Sequence, residues 1–146
     1  LQNLNMRKCP IFNFINNQSN FIHIRSLDLS HNKLVNQKPG MFGIFPNLQS
    51  LNLENSEFKL IPDVFDGLGN LETLSLEGNQ LIEINGEVFK PLRNLKSLNL
   101  TYSSREKNGY DCWYPGCTYL CQKLNPNVFN GLENLESLSL RKNFID

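Results

Sequence analysis

Between Thr73 and Glu77 the chain alternates strictly, with Leu74 and Leu76 apolar and Thr73, Ser75 and Glu77 polar. That alternation predicts a short strand with one face buried and the other wet. Leu71 precedes it, and Asn79, Leu81, Ile84, Phe89 and Leu92 follow. The stretch from Leu71 to Asn94 is the clearest copy of a unit that fills the chain, because its leading apolar position returns at Leu1, Ile24, Leu48, Leu71, Leu95 and Leu135. The same phase predicts strands over residues 3 to 7, 26 to 30, 50 to 54, 73 to 77, 97 to 101 and 137 to 141. Asn79 turns the chain out of its strand, and a buried amide there must bond backbone groups of neighbouring turns. Each turn buries about six or seven apolar side chains at roughly 1.5 to 3 kcal/mol apiece, yet no turn closes a core alone. Stacking is obligatory, and the chain reads as one solenoid domain.

The copies run over 1–23, 24–47, 48–70, 71–94 and 95–134, with a partial one over 135–146. The first has Leu1, Leu4, Met6, Ile11, Phe14 and Phe21 in core phase, with Cys9 at the Asn position and Gln18 where an aromatic is expected. In the second, Ile24, Leu27, Leu29, Asn32, Leu34, Phe42 and Phe45 keep the pattern while Gln37 weakens one position; in the third, Ser56 replaces the Asn, and Ile61-Pro62, Phe65 and Leu68 form the returning side. Phe42, Phe65, Phe89 and Phe129 are predicted to stack, one per turn, as core. The fifth copy starts with Leu95, Leu98 and Leu100, leaves the pattern after Ser103 and resumes it at Leu124. Leu135, Leu138, Leu140 and Asn143 open the sixth.

The pattern LxxLxLxxNxLxxI followed by FxxL resembles that of the leucine-rich repeat, whose period is roughly 20 to 29 residues. The resemblance implies an α/β-type leucine-rich repeat solenoid, a piece of a curved horseshoe. Its parallel sheet would line the concave face, with mostly loop and short helical turns on the convex face. The pattern begins and stops inside a copy, which predicts that the chain is part of a longer protein.

Charge narrows the function little. Fourteen basic and fourteen acidic side chains balance, so no whole-surface nucleic-acid footprint is expected. No apolar run approaches the roughly 18 residues of a membrane span, so no membrane contact is expected within this segment. His23 and His31 are the only histidines, no Ser, His and carboxylate constellation shares a surface, and no glycine-rich phosphate loop follows a strand. The chain reads as a binding module and not an enzyme, with no cofactor and no metal.

The least regular stretch is the insertion over 104–123: between Ser103 and Leu124 the chain carries 20 residues where the clearest copy has four. It holds Cys112, Cys117 and Cys121, the only Trp, and aromatics Tyr110, Trp113 and Tyr114. Long loops on rigid scaffolds are usually functional or disordered, and this composition argues against disorder. The spacing lacks the paired CxxC or nearby His of a zinc site. A disulfide is favoured, Cys112 with Cys121 around the Pro115-Gly116 turn or Cys112 with Cys117, leaving one thiol free or paired elsewhere. Beside the insertion, Tyr102, Arg141 and Lys142 form a candidate contact patch. Asn17-Gln18-Ser19 and Asn99-Leu100-Thr101 are candidate glycosylation triplets. With the disulfide they point to an oxidising, secreted compartment.

Repeats of this length with a spine Phe and a cysteine-bearing insertion after the strand resemble Toll-like receptor ectodomains. That resemblance implies an innate immune receptor module, extracellular, on a cell surface or in an endosomal lumen. It would bind a macromolecular ligand (protein, nucleic acid or microbial product), with receptor dimerisation as a further expectation. Matrix proteoglycans, axon-guidance proteins and hormone-receptor ectodomains share the repeat, so a secreted or cell-surface adhesion, matrix or hormone-receptor module is the alternative.

Overall fold

A computed structural model of the chain describes residues 1–8, 21–79, 81, 84, 87–101, 125, 127–141 and 143. Six strands, β1 (Asn3–Asn5), β2 (Ser26–Asp28), β3 (Ser50–Asn52), β4 (Thr73–Ser75), β5 (Ser97–Asn99) and β6 (Ser137–Ser139), form one sheet in chain order. Every pairing is parallel, and equivalent repeat positions face one another throughout: Leu51 pairs with Leu74, and Leu74 with Leu98. The register carries across the insertion unchanged, with Ser97, Leu98 and Asn99 opposite Ser137, Leu138 and Ser139.

Each strand is three residues long, two fewer than its alternation predicts, and in four of the six a cause lies in the last residue. The side-chain Oδ1 of Asn5, Asp28, Asn52 and Asn99 accepts the backbone N–H two residues on, from Arg7, Ser30, Glu54 and Thr101, at 2.9–3.0 Å. That bond takes the donor a continuing ladder would need and bends the chain out of the strand. The intervening N–H groups still reach the next turn, as when Leu53 donates to the Ser75 carbonyl and Leu76 to that of Asn99. Three residues after the strand ends, Lys8, His31, Asn55 and Gly78 all take left-handed backbone, with φ of 57°, 57°, 50° and 71°. Only Gly78 adopts it without steric cost, and the Asn55 side chain occupies the space a Cβ there would need.

Behind the sheet the core is continuous from Ile24 to Leu132. Leu27, Leu51, Leu74 and Leu98 are each no more than 1% exposed. Phe42, Phe65 and Phe89 stack in sequence, with ring centroids 6.4 and 6.1 Å apart and planes tilted by 14° and 15°. Phe129 is half-buried. Phe58, absent from the sequence-derived spine, is fully buried and packs on both Phe42 and Phe65; it fills the place that Leu34 and Leu81 take in flanking turns. Val64, Val88 and Val128, each preceding a spine Phe, are also buried. The returning segments are turns with i to i+3 bonds, Leu68 donating to Phe65 and Leu71 to Leu68, and the described residues contain no helix. Consecutive turns come close enough that a Cβ on Gly67 would lie 3.0 Å from the Gly43 Cα.

Leu138, on the outermost strand, is 39% exposed, because no described strand covers β6 on its far side.

The stacked spine makes a quantitative prediction. Phe89→Ala empties a fully buried site packed on Phe65, and should cost about 3 to 5 kcal/mol. Denaturant melts of the parent domain check this, and a loss below about 1 kcal/mol would contradict the core assignment.

Candidate functional site

The wet positions of the strands form the floor of the inner face. One column runs Asn3, Ser26, Ser50, Thr73, Ser97 and Ser137; the next runs Asn5, Asp28, Asn52, Ser75, Asn99 and Ser139. These residues are half-buried or exposed, short and polar, because each sits in register beside its equivalent one strand away.

Charge enters at the strand exits. Glu54 lies 3.9 Å from the His31 Nε2 and accepts 3.0 Å from the Asn55 amide. Glu77 accepts 2.9 Å from the Asn99 Nδ2. Asp28, Glu54 and Glu77 thus give the middle of the face a negative cast, with Arg7 before them and Arg141 after. At the root of the insertion, the Thr101 and Ser139 hydroxyls share a 2.7 Å hydrogen bond, and the exposed Arg141 follows in the column of Thr101. Past the ends of β2 and β3 a depression of about 430 Å³ is lined by His31, Asn32, Lys33, Asn55 and Glu57, with Lys33 and Glu57 3.9 Å apart.

Of the residues singled out from sequence, the structure places Asn99 on β5 and Arg141 just past β6. Tyr102, Tyr110, Trp113, Tyr114, Lys142, Cys112, Cys117, Cys121 and Asn17 lie outside the described residues. Among the described residues no group of three or more His, Cys, Asp or Glu could hold a metal ion, and no helix is long and apolar enough to cross a membrane.

Two features escaped sequence reasoning. Asn47, Asn70, Asn94 and Asn134 form a second asparagine series, donating to the backbone carbonyls of Ile22, Pro46, Gly69 and Arg93 in the preceding turn at 2.7–3.0 Å. The recurring Asn before each leading Leu was the available signal. The other is a charge clasp at the strand starts, where Lys96 Nζ lies 2.8 Å from the Glu72 carboxylate.

A family profile described as "Leucine rich repeat" matches residues 22–81. Toll-like receptor 3 of Boselaphus tragocamelus is 33% identical over 147 residues, covering 90% of this chain and 16% of that protein. The solved structure of a TLR13–ssRNA13 complex superposes with a TM-score of 0.70 at 28% identity, covering 96% of this chain and 18% of that one. This chain is a leucine-rich repeat protein resembling part of a Toll-like receptor ectodomain. Leucine-rich repeats and immunoglobulin-like domains protein 3 of Homo sapiens, 31% identical over 110 residues, shares 75% of the leucine-rich repeat chain and 10% of its own length. The chain therefore spans less than a fifth of each of these relatives.

The Lys96 clasp has a defined pH signature. The hydrogen bond to Glu72 and its negative charge raise the Lys96 pKa above the ordinary lysine value against an opposing desolvation, with Glu136 adding to the rise. A raised pKa in the folded state means that the stabilisation is complete below the ordinary value and fades as pH rises through the folded one. Glu72→Gln should therefore lower thermal stability slightly at neutral pH, and the gap to wild type should close at strongly alkaline pH. A gap independent of alkaline pH would show that the pair contributes nothing through charge.

Proposed function

We propose that this chain is a ligand-recognition segment of a Toll-like innate immune receptor, working outside the cell or in an endosomal lumen. It binds a macromolecular partner with the inner sheet face and the Cys-rich insertion over 104–123. The observation that carries the reading is that β5 and β6 keep their register while the connection between them holds the whole insertion. The repeat supplies the scaffold without a regular connection there, and so frees the excess chain for contact. In the sequence the insertion departs from the repeat pattern after Ser103, two residues past the strand-exit residue Thr101. An extended sheet face built from successive repeats suits a large ligand.

The charge of the floor favours a protein partner. Asp28, Glu54 and Glu77 repel a polyanion from the middle of the face, and the floor offers hydroxyls and amides to peptide groups. TLR13 was solved with single-stranded RNA; a nucleic acid on this segment would have to use Arg141, Lys142 and the insertion. Salt dependence separates the two, since binding through several phosphates weakens steeply with salt.

The second reading, an adhesion or matrix module at the cell surface, is favoured by the similarity to leucine-rich repeats and immunoglobulin-like domains protein 3. Trp113 and Tyr114 decide whether the insertion is a contact element. Replacing both with Ala in the full ectodomain should weaken ligand binding or dimerisation at least tenfold, the size expected for a pair of aromatic anchors at roughly 1 to 2 kcal/mol or more, while thermal stability stays close to wild type. Lost stability with unchanged affinity and association would reduce the insertion to a structural patch.

A further inference from the structure

We infer that Asn99, on the inner sheet face at the end of β5, is an acceptor for an N-linked oligosaccharide. The inference goes beyond ligand recognition and rests on the lumenal or extracellular reading only for the compartment that supplies the sugar. Asn5, Asn52 and Asn99 occupy the same repeat position, but only Asn99 has a hydroxyl residue two places on, Thr101. The triplet Asn99-Leu100-Thr101 is therefore the one place where the repeat's own asparagine meets the acceptor sequence.

Geometry suits the modification. The Asn99 Oδ1 accepts the Thr101 N–H at 3.0 Å, and the Nδ2 donates one hydrogen to Glu77 at 2.9 Å. An amide nitrogen carries two hydrogens. The second has no partner among the described residues, and a glycosidic bond replaces one hydrogen while leaving the other. Space is available as well: Ser75 and Ser139 flank Asn99 on the adjacent strands and Ser97 lies two residues before it on the same face, all with short side chains. The corresponding Asn52 has the carboxylate of Asp28 on one side instead.

In the transfer, the Asn99 Nδ2 forms a bond to the anomeric carbon of an oligosaccharide carried on a polyprenyl diphosphate. The anomeric C–O bond to the diphosphate breaks, polyprenyl diphosphate leaves, and the amide gives up one proton. A glycan so placed would stand over β4, β5 and β6, steering a large ligand toward the strand-exit edge and the insertion.

The test is glycopeptide mapping of the full parent chain recovered from cells. Trypsin releases residues 97–105, between Lys96 and Arg105. The expected result is a glycosylated peptide in which amidase release converts Asn99 to Asp, with the modification lost in Thr101→Ala and kept in Thr101→Ser. Finding peptide 97–105 unmodified in a parent that is displayed on the surface or held in a lumen would overturn the glycan and leave the compartment reading intact. A parent confined to the cytosol would overturn both. The wild-type peptide decides the question, so poor folding of a variant cannot obscure it.

Discussion

Every turn of this molecule leaves backbone groups that only the neighbouring turn can satisfy, and the buried Asn79 shows how tightly that is done. Its Nδ2 donates to the carbonyls of Leu76, in its own turn, at 2.9 Å and of Leu53, in the turn before, at 2.8 Å. Its Oδ1 accepts the backbone N–H groups of Ser56 and Phe58 at 3.0 and 2.9 Å. One fully buried side chain thus answers four main-chain groups across two turns, and leaving any of them unpaired would cost about 1–3 kcal/mol. Asn32 and Asn143 repeat the device, donating to Met6 and Leu100 in the turns before them. Ser56, standing at the Asn position of its own turn, donates its hydroxyl to the Leu53 carbonyl and relies on Asn79 for the rest.

The apolar core fills in around this constraint. Where Asn32, Asn79 and Asn143 tie their turns to the ones before, the leucines of successive strands coincide, and the phenylalanines behind the sheet meet ring to ring. The same rule accounts for the survival of the register through the fifth repeat. Asn143 reaches Leu100 at 2.6 Å, Leu100 donates to Ser139, and Ser137 donates to Lys96, so the bonds between β5 and β6 match those between uninterrupted repeats. The functional reading starts from that continuity: the pairing of β5 with β6 repeats that of the uninterrupted turns.

Most of the scaffold was legible in the leucine phase, because one buried and one wet position per strand recur with a period that a parallel stack must keep. Strand ends were not, because alternation alone is silent about the Asn and Asp side chains that capture the next donor and stop the ladder. Phe58 was missed since its turn offers an aromatic where the others use leucine, and its fit depends on the room between Phe42 and Phe65. The asparagines from Asn47 to Asn134 act between turns on the outside, where no hydrophobic rhythm marks them. For the site, the columns of the floor were readable in full. The pairing of Glu77 with Asn99 and of Lys96 with Glu72 needed coordinates, since partners 22 and 24 residues apart meet only once the turns are stacked.

The central claim is that contacts between turns, and not the insertion, hold β5 against β6. Replacing 104–123 in the parent domain with the short link of an uninterrupted repeat, followed by amide hydrogen exchange at Leu100 and Ser137, tests it most directly. The account predicts that both amides stay as protected as in the wild type, because their acceptors, Ser139 and Lys96, lie outside the insertion. Rapid exchange at these two positions, with protection retained at Leu53 and Leu76, would show that the insertion itself holds the last strands together and would contradict the account.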